Sequence, residues 1–450
     1  MTDINWAAAG DEALRNLVTL LRFDTTNPPG NELEAVRWAA GLLEAEGLEP
    51  VVLESAPGRG NLVCRLKGTG RKGALLLDAH VDVVPVEGQV WTRPPFEGKV
   101  TDGFVWGRGA LDMKHMAAMS LQVMLLVKRH RIPLDGDLVL VLTADEEAGG
   151  ELGARWLARE HPELLEAEYA LGEVGGMTLH VKDTRLYPVM VAEKGLLWLR
   201  LRVRGDSGHG SIPRRGGTTE RAAELVRLLS RKRFPVEPNE AVKRFLDAMG
   251  DAMGLPTKMV LKLIQVPGIG HGILRRVVRD PHRAASLAAL LSHTVNPTVI
   301  QGGSSVNVIP SEVEIKVDCR LLPGTVPERF TERIQALVGP EVEIEILQQH
   351  MGTTVAMDNE LYRCIESVMA VHEPGARVVP YMISGFTNGH AYLPLGIKTM
   401  GFTPVVLPPG MEFNQLFHAP DERIPVDGFK WGVRVLHEVV TKHLRAQQSS

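Results

Sequence analysis

The chain has 450 residues, of which 44% are hydrophobic and 23% are charged, and its formal net charge is −4. This ordinary composition offers no basic field for nucleic acid or anionic lipid, and no apolar run approaches the roughly 20 residues that a membrane-spanning helix needs. Without a secretory signal in the first residues, we expect a cytoplasmic protein of two or three domains that binds neither nucleic acid nor membrane.

The first 194 residues alternate helical and strand patterns. Apolar residues at helical spacing cover 11–23 and 31–49, and short β-rich runs follow. A helix with a thick apolar face, 113–130, precedes a continuous apolar strand at 137–144. Helices alternating with apolar strands predict a mostly parallel α/β sheet that is covered on both faces.

The pattern changes from about Gly195. Strands with one polar face are predicted at 195–205, 304–310, 312–321 and 341–347, with helices at 218–232 and 327–338. This strand–helix–strand–strand–helix–strand order is typical of a small α/β sandwich with an open face. We therefore expect a split first domain, 1–194 and 352–450, and an inserted domain, 195–351, that carries a mostly helical insertion at 235–297.

Two features suggest chemistry that the rest of the sequence does not support. Residues 68–73, GTGRKG, match a dinucleotide-binding fingerprint, but another strand follows where a helix is required, so we expect a hairpin turn. The three cysteines, Cys64, Cys319 and Cys364, are far apart among apolar residues, and we expect reduced core thiols.

Polar residues alternate along the strand that contains Asp78, His80 and Asp82, so their side chains share one face. His80 is well placed to bind a metal through one ring nitrogen while the other donates to Asp82. A core histidine with an acid beside it explains the pair equally well.

Further acids and a histidine follow predicted strand ends or begin a helix. Asp112 precedes a long helix, where an N-cap is the simpler explanation when it is taken alone. The others are Glu146, Glu147, Glu173 and His418. Because ligands of open α/β sheets bind at the carboxyl ends of strands, these groups can converge on one crevice. So many anionic ligands suit two bridged divalent ions, and mixed imidazole and carboxylate ligands suit zinc, with cobalt or manganese possible.

Three motifs together resemble one enzyme family. They are H-x-D-x-V-P at 80–85, G-R-G-x-x-D-M-K at 107–114 and D-E-E-x-G-G at 145–150, and similarity extends from TTNPPGNE to HAPDERI. The chain resembles the co-catalytic di-zinc peptidases that include aminoacylase, acetylornithine deacetylase, succinyl-diaminopimelate desuccinylase, and the glutamate and yeast-type carboxypeptidases. The resemblance implies a zinc-peptidase catalytic domain with an inserted α/β lid that dimerises.

The resemblance also implies a role for each site residue. His80 and Glu173 would hold one zinc ion, Glu147 and His418 the other, and Asp112 would bridge the two. Glu146 would act as general base, and Asp82 would orient His80. The remaining implied residues are His209, which would reach the scissile carbonyl in the partner subunit of a homodimer, and the substrate contacts Asn307 and Arg320. A loop histidine on a glycine turn is the alternative for His209.

The implied reaction is hydrolysis of an amide bond by metal-activated water. The substrates would be N-acyl amino acids or short peptides with a free carboxylate. A biosynthetic deacylase is the alternative within this class, and a catalytically silent, metal-binding scaffold is a more remote one.

The chain departs from the family pattern at two places. His115 stands where relatives often have glycine, and it is either an extra ligand or an ordinary residue of the first helical turn. Asn388 and His390 stand where many relatives have the aspartate and arginine of Gly-Gly-Thr-x-Asp-x-Arg. We expect that loop to face the substrate, so the specificity of a single relative does not carry over.

Overall fold

The computed structural model describes residues 4–212 and 215–445, which fold into two compact units. The first unit runs to Val191 and also contains Val355–Tyr381 and the chain from Thr387 onward. The second unit comprises Ala192–Thr354 and Met382–Phe386. No helix among the described residues is long and apolar enough to cross a membrane.

Helices and strands alternate along most of the chain. The helices are α1 (Trp6–Arg22), α2 (Glu32–Ala45), α3 (Lys114–Arg129), α4 (Ala154–Glu160), α5 (Pro162–Leu165), α6 (Thr218–Arg231), α7 (Glu240–Met253), α8 (Leu255–Leu263), α9 (Gly270–Val277), α10 (Pro281–Leu291), α11 (Pro327–Val338), α12 (Glu360–His372), α13 (Gly389–Tyr392) and α14 (Val426–His443). The strands are β1 (Val51–Ala56), β2 (Arg59–Leu66), β3 (Leu75–His80), β4 (Lys99–Thr101), β5 (Phe104–Trp106), β6 (Leu138–Thr143), β7 (Tyr169–Gly172), β8 (Leu179–Val181), β9 (Thr184–Glu193), β10 (Gly195–Arg204), β11 (Gly208–His209), β12 (Thr294–Gly302), β13 (Val308–Ile309), β14 (Glu312–Leu321), β15 (Glu343–His350), β16 (Arg377–Ile383), β17 (Lys398–Gly401) and β18 (Arg423–Pro425).

The sheet of the first unit has the order β1-β2-β6-β3-β7-β17-β9-β16, with β8 paired to β9. Its centre is parallel, because β6, β3, β7 and β17 pair in the same direction, whereas β1, β2 and β9 pair antiparallel. Every residue of β3, β6 and β7 is buried, as expected for parallel strands that are covered on both faces.

Helices cover both faces of this sheet. Leu76 and Val139 pack in one cluster with residues of α4 and α13, while α3 contacts β3 and β6 and packs against α1 and α14. Alternate residues of a strand point to opposite faces, which explains why both odd and even positions are apolar. The α/β fold with a mostly parallel sheet is therefore confirmed.

The second unit contains an antiparallel sheet of order β12-β14-β10-β15. Odd-numbered residues of β10, from Leu197 to Val203, pack in one core with α6 and α11. The even-numbered residues Arg200 and Arg202 form ion pairs with glutamates of β14 and β15. One apolar face and one charged face produce the alternation that is visible in the sequence.

Two element predictions are wrong in detail. Residues 304–310 contribute only the two-residue strand β13, which pairs with β11, and the second sheet strand is β12, which begins at Thr294. The alternation Val-Asn-Val-Ile had suggested a longer strand. Residues 68–73 do not form a hairpin, because β6 lies between β2 and β3 in the sheet.

Candidate metal centre

The carboxyl end of β3 places His80 at the edge of the sheet. Its ring is buried, and Nδ1 lies 3.0 Å from the backbone oxygen of Asp82 and 3.4 Å from Oδ1 of that residue. Nε2 faces the opposite way, 3.1 Å from Asp112 Oδ1 and 3.7 Å from Glu173 Oε2. Since β3, β6 and β7 are parallel, the residues that follow them meet at one edge.

A second group adjoins the first. The Nε2 atom of His418 lies 3.1 Å from Asp112 Oδ2 and 3.1 Å from Glu147 Oε2. The potential ligand atoms of each group, one containing His80, Asp112 and Glu173 and the other Asp112, Glu147 and His418, lie within 4.8 Å of one another. Asp112 belongs to both groups, with one oxygen toward each histidine, so the arrangement can hold two ions that share a carboxylate.

The turn after β6 separates two adjacent glutamates. Asp145 has a left-handed backbone with φ of 67°, and Glu146–Ala148 form a single 3-10 turn. The Asp82 carboxylate accepts hydrogen bonds from the backbone N–H groups of Glu146, at 3.1 Å, and Glu147, at 3.2 Å. Glu147 then points to His418, while Glu146 Oε2 lies 3.9 Å from His80 Nε2 and belongs to neither ligand group.

The pKa shifts of the histidines and carboxylates show which charge the two ligand groups favour. Burial opposes a charge on His418, but its contacts with Asp112 and Glu147 outweigh burial and raise the pKa to about 10. Burial also opposes a charge on His80, whose pKa is raised by hydrogen bonds to Asp112, Asp82 and Glu173. Burial, together with repulsion from Asp112, raises the pKa of Glu147 to about 7. The cluster therefore attracts positive charge, which protons or divalent ions can supply.

A carboxylate oxygen of this cluster that lacks a hydrogen-bond donor among the described residues also fits a metal site. Oε1 of Glu147 is buried and has no hydrogen-bond partner within the described part of the chain. A buried carboxylate oxygen without a donor is costly unless another group, such as a cation, satisfies it. Two imidazoles and three carboxylates are suitable zinc ligands.

The structure also identifies supporting residues that the sequence reasoning missed. Glu422 accepts hydrogen bonds from the N–H groups of Leu111, at 2.6 Å, and Asp112, at 3.0 Å, and it pairs with Arg108 at 2.8 Å. Arg108 and Glu422 are fully buried, and Glu422 holds the backbone of Asp112, the residue that the two ligand groups share. Their membership in the G-R-G and H-A-P-D-E-R-I motifs was the signal that could have found them.

His115 lies in the first turn of α3, where its ring is buried. Neither ring nitrogen has a hydrogen-bond partner among the residues described, and burial lowers the pKa to about 3. It belongs to neither ligand group in the described chain. The geometry favours an uncharged helix residue over an extra ligand.

The two side chains at which this chain departs from the family pattern are buried, and the expectation that their loop faces the substrate stays a prediction. Asn388 Nδ2 donates to Asp78 Oδ2 at 3.1 Å and to Thr143 Oγ1 at 3.0 Å, and the Tyr392 hydroxyl donates to Asp78 Oδ1 at 2.6 Å. The ring of His390 is also buried, with Nδ1 2.5 Å from the backbone oxygen of Thr387. The Asp78 carboxylate therefore accepts hydrogen bonds from Asn388 and Tyr392.

The other three predicted site residues lie in the second unit. His209, on β11, is exposed, with Nδ1 2.7 Å from Ser211 Oγ. Asn307 is also exposed, and its backbone oxygen accepts from Gly210 at 2.8 Å. Arg320 binds both oxygens of Asp318, at 2.8 and 3.1 Å, and its guanidinium lies 5.4 Å from the centre of the Phe386 ring.

Comparison with known proteins assigns the family. The model of peptidase family M20/M25/M40 matches residues 76–442, which include the two ligand groups and Glu146. The chain belongs to this family. It is 26% identical over 448 residues to aminoacylase-1 of Sus scrofa, covering 97% of each chain. It is 25% identical over 379 residues to the N-fatty-acyl-amino acid synthase/hydrolase PM20D1 of Mus musculus, covering 81% of this chain and 73% of the relative.

The fold is shared with solved M20 structures. The M20 family metallo-carboxypeptidase Sso-CP2 from Sulfolobus solfataricus superposes with a TM-score of 0.71 at 18% identity, covering 96% of this chain and 99% of the other. Membership in the M20/M25/M40 family identifies this chain as a hydrolase that acts on amide bonds.

Proposed function

We propose that this M20 protein hydrolyses the amide bond of N-acyl amino acids or of short peptides with a free carboxylate. The observation that carries the proposal is the pair of ligand groups that share Asp112, with Glu146 beside them and outside both. The family membership supports the reaction class, and the names of the two relatives favour acylated amino acids as substrates.

The ligand groups would hold two zinc ions, with cobalt or manganese as substitutes. His80 and Glu173 would hold one ion, Glu147 and His418 would hold the other, and Asp112 belongs to both groups. Two bound ions supply Lewis acidity, which polarises the substrate carbonyl and lowers the pKa of water. Asp82 keeps the His80 ring oriented through its contacts with Nδ1.

Glu146 is the general base in this proposal. Burial and repulsion from Glu173 raise the pKa of its carboxyl above the ordinary value. A raised pKa suits a group that accepts a proton from the attacking water and then donates it to the leaving amine. Glu147, although adjacent, is directed to His418 by the turn and is not available for that proton.

We also propose substrate-binding roles for three residues of the second unit. Arg320 binds the substrate carboxylate, because a guanidinium matches a carboxylate with two parallel hydrogen bonds. Asn307 contacts the substrate, and the exposed ring of His209 stabilises the oxyanion in the partner subunit of a cytoplasmic homodimer. Light scattering during gel filtration tests the dimer, and a monomer at assay concentration would remove the partner role of His209.

The function is tested by amine release from a panel of N-acetyl, N-long-chain-acyl, N-succinyl and dipeptide substrates. We expect hydrolysis of acyl amino acids or dipeptides, loss of activity with a chelator and recovery on addition of Zn²⁺ or Co²⁺. Preference for N-acetylornithine or N-succinyl-diaminopimelate would indicate the biosynthetic deacylase instead. Full activity in protein shown to be free of metal would refute the mechanism, and no hydrolysis by protein that binds two ions would indicate the silent scaffold.

A further inference from the structure

A buried ion pair lies outside both ligand groups. Arg59, at the start of β2, binds Glu32, at the start of α2, through Nε and Nη2, each 2.8 Å from a different carboxylate oxygen. Glu32 is 0% exposed and Arg59 is 7% exposed. A buried ion pair is weak evidence for stability, because desolvation offsets most of the attraction. What this pair contacts is therefore more informative about its role.

The Arg59 side chain continues to the turn that carries the two glutamates. Nη2 also lies 3.0 Å from Asp145 Oδ1, and Asp145 Oδ2 accepts from the Leu152 N–H at 3.0 Å. Asn27 Nδ2 donates to Asp145 Oδ1 at 3.1 Å and to Asp82 Oδ2 at 2.9 Å. The uncharged amide of Asn27 thus links the carboxylates of Asp145 and Asp82.

The hydrogen-bonded chain ends at the metal centre. Asp82, which Asn27 holds, accepts from the backbone of Glu146 and Glu147 and lies 3.4 Å from Nδ1 of His80. Arg59 supplies a positive charge that Glu32 and Asp145 share. Without it, Asp145 loses a partner that holds its carboxylate while its backbone stays left-handed, a conformation that non-glycine residues rarely adopt.

We propose that Arg59 and Glu32 are positioning residues that fix Asp145 and, through Asn27 and Asp82, orient Glu146 and Glu147 toward the metal centre. The inference deepens the proposed function and rests on it, since it assigns an orienting role toward the same site. Neither Arg59 nor Glu32 belongs to a ligand group in the described part of the chain, and Arg59 contacts Asp145, so the effect on metal and catalysis passes through Asp145.

The test compares Arg59→Met with Arg65→Met. Arg65, also on β2, pairs with Asp137 at 3.1 Å, and Asp137 precedes β6 at the end opposite to Asp145. Both variants remove an arginine from β2 and take one ionic partner from an aspartate next to β6, Asp145 or Asp137. Zn²⁺ affinity of the chelator-treated protein is measured by competition with a chromophoric chelator, together with kcat, KM and the melting temperature.

We expect Arg59→Met to weaken zinc binding and to lower kcat about 10- to 100-fold, the usual effect of removing a residue that orients metal ligands. KM should change less than about threefold, whereas Arg65→Met should leave zinc affinity and kcat within about threefold. Arg59→Lys should be intermediate, because an ammonium keeps the charge but cannot bind Glu32 through two parallel bonds.

Wild-type zinc affinity and kcat in Arg59→Met would overturn the proposal, and so would equal losses in Arg65→Met. If Arg59→Met does not fold, zinc affinity and kcat are measured for Glu32→Gln and Arg59→Lys instead. Wild-type values in both variants would overturn the proposal. A wild-type protein that binds two ions but hydrolyses no amide would refute the proposed function alone, since the zinc affinities would still separate the two arginines.

Discussion

Replacing Tyr392 with phenylalanine removes one hydroxyl and leaves the shape of the side chain. That hydroxyl donates to the buried Asp78 carboxylate at 2.6 Å, next to the donor from Asn388. Burial raises the pKa of Asp78 to about 6, although both donors oppose the shift. The variant therefore removes a hydrogen bond to an anion at pH 8 and a hydrogen bond to a neutral carboxyl at pH 5.

The size of the effect follows from the charge of the acceptor. A hydrogen bond to a charged group contributes about 1.5–3 kcal/mol, and one between neutral groups about 0.5–1.5 kcal/mol. We expect Tyr392→Phe to lose about 2 kcal/mol at pH 8 and about 1 kcal/mol at pH 5.

The sign follows from proton linkage. Because the folded pKa of Asp78 lies above the unfolded value of 3.8, its contribution to stability is present below that value and is lost as the pH rises through about 6. Losing the tyrosine donor raises the pKa further, so the penalty grows as the pH rises.

The assay is thermal unfolding of chelator-treated protein at both pH values. With roughly 1–2 °C per kcal/mol for a chain of this length, the melting temperature should fall by about 2–4 °C at pH 8 and about 1–2 °C at pH 5. Tyr187→Phe is the matched control, because the buried Tyr187 hydroxyl bonds the neutral Thr178 hydroxyl at 3.1 Å. Its penalty should not depend on pH. Equal penalties for Tyr392→Phe at pH 5 and pH 8 would show that the charge of Asp78 does not set the strength of this hydrogen bond.

Three further predictions concern the metal centre and the acid stability of the fold. Glu146→Gln should lower kcat by about 10²- to 10⁴-fold while elemental analysis finds unchanged metal, since only the proton acceptor is lost; loss of metal would instead make Glu146 a ligand. Asp112→Asn should reduce bound metal at both positions, measured as ions per chain, because its carboxylate serves both groups; retention of two ions would contradict a shared ligand. Burial, with nearby cations, lowers the pKa of His437 to about 4, so its stability contribution is present above pH 6.5 and is lost as the pH falls toward 4. The free energy of unfolding, measured with denaturant, should fall between pH 7.5 and pH 4.5 by about 2–3 kcal/mol less in His437→Leu than in the wild type. An equal fall in both proteins would show that His437 does not contribute to the acid sensitivity.

Local patterns predicted much of the fold because each one reports a single kind of environment. The continuous apolar run at β6 indicated a strand buried on both faces, and the alternation in β10 indicated a sheet with one polar face. The same reasoning placed a strand at 304–310, where β13 forms only a two-residue pair with β11. Alternation alone cannot say which strand a segment meets, and β12, with its mixed polarity, was therefore missed.

In the candidate site, too, some features could be predicted from the sequence and others required the folded structure. The sequence alone predicted the residues of both candidate ligand groups, because short motifs after predicted strands carry side chains that can bind metal, and the family resemblance supplied their roles. The packed fold was needed to show that Asp112 presents one oxygen to each histidine and that Asn388 donates a hydrogen bond to the buried Asp78 carboxylate. It alone also showed that Arg59 reaches Asp145 across 86 positions of the sequence. Such contacts join residues whose separation along the chain carries no periodic signal, so they exist only once the chain is packed.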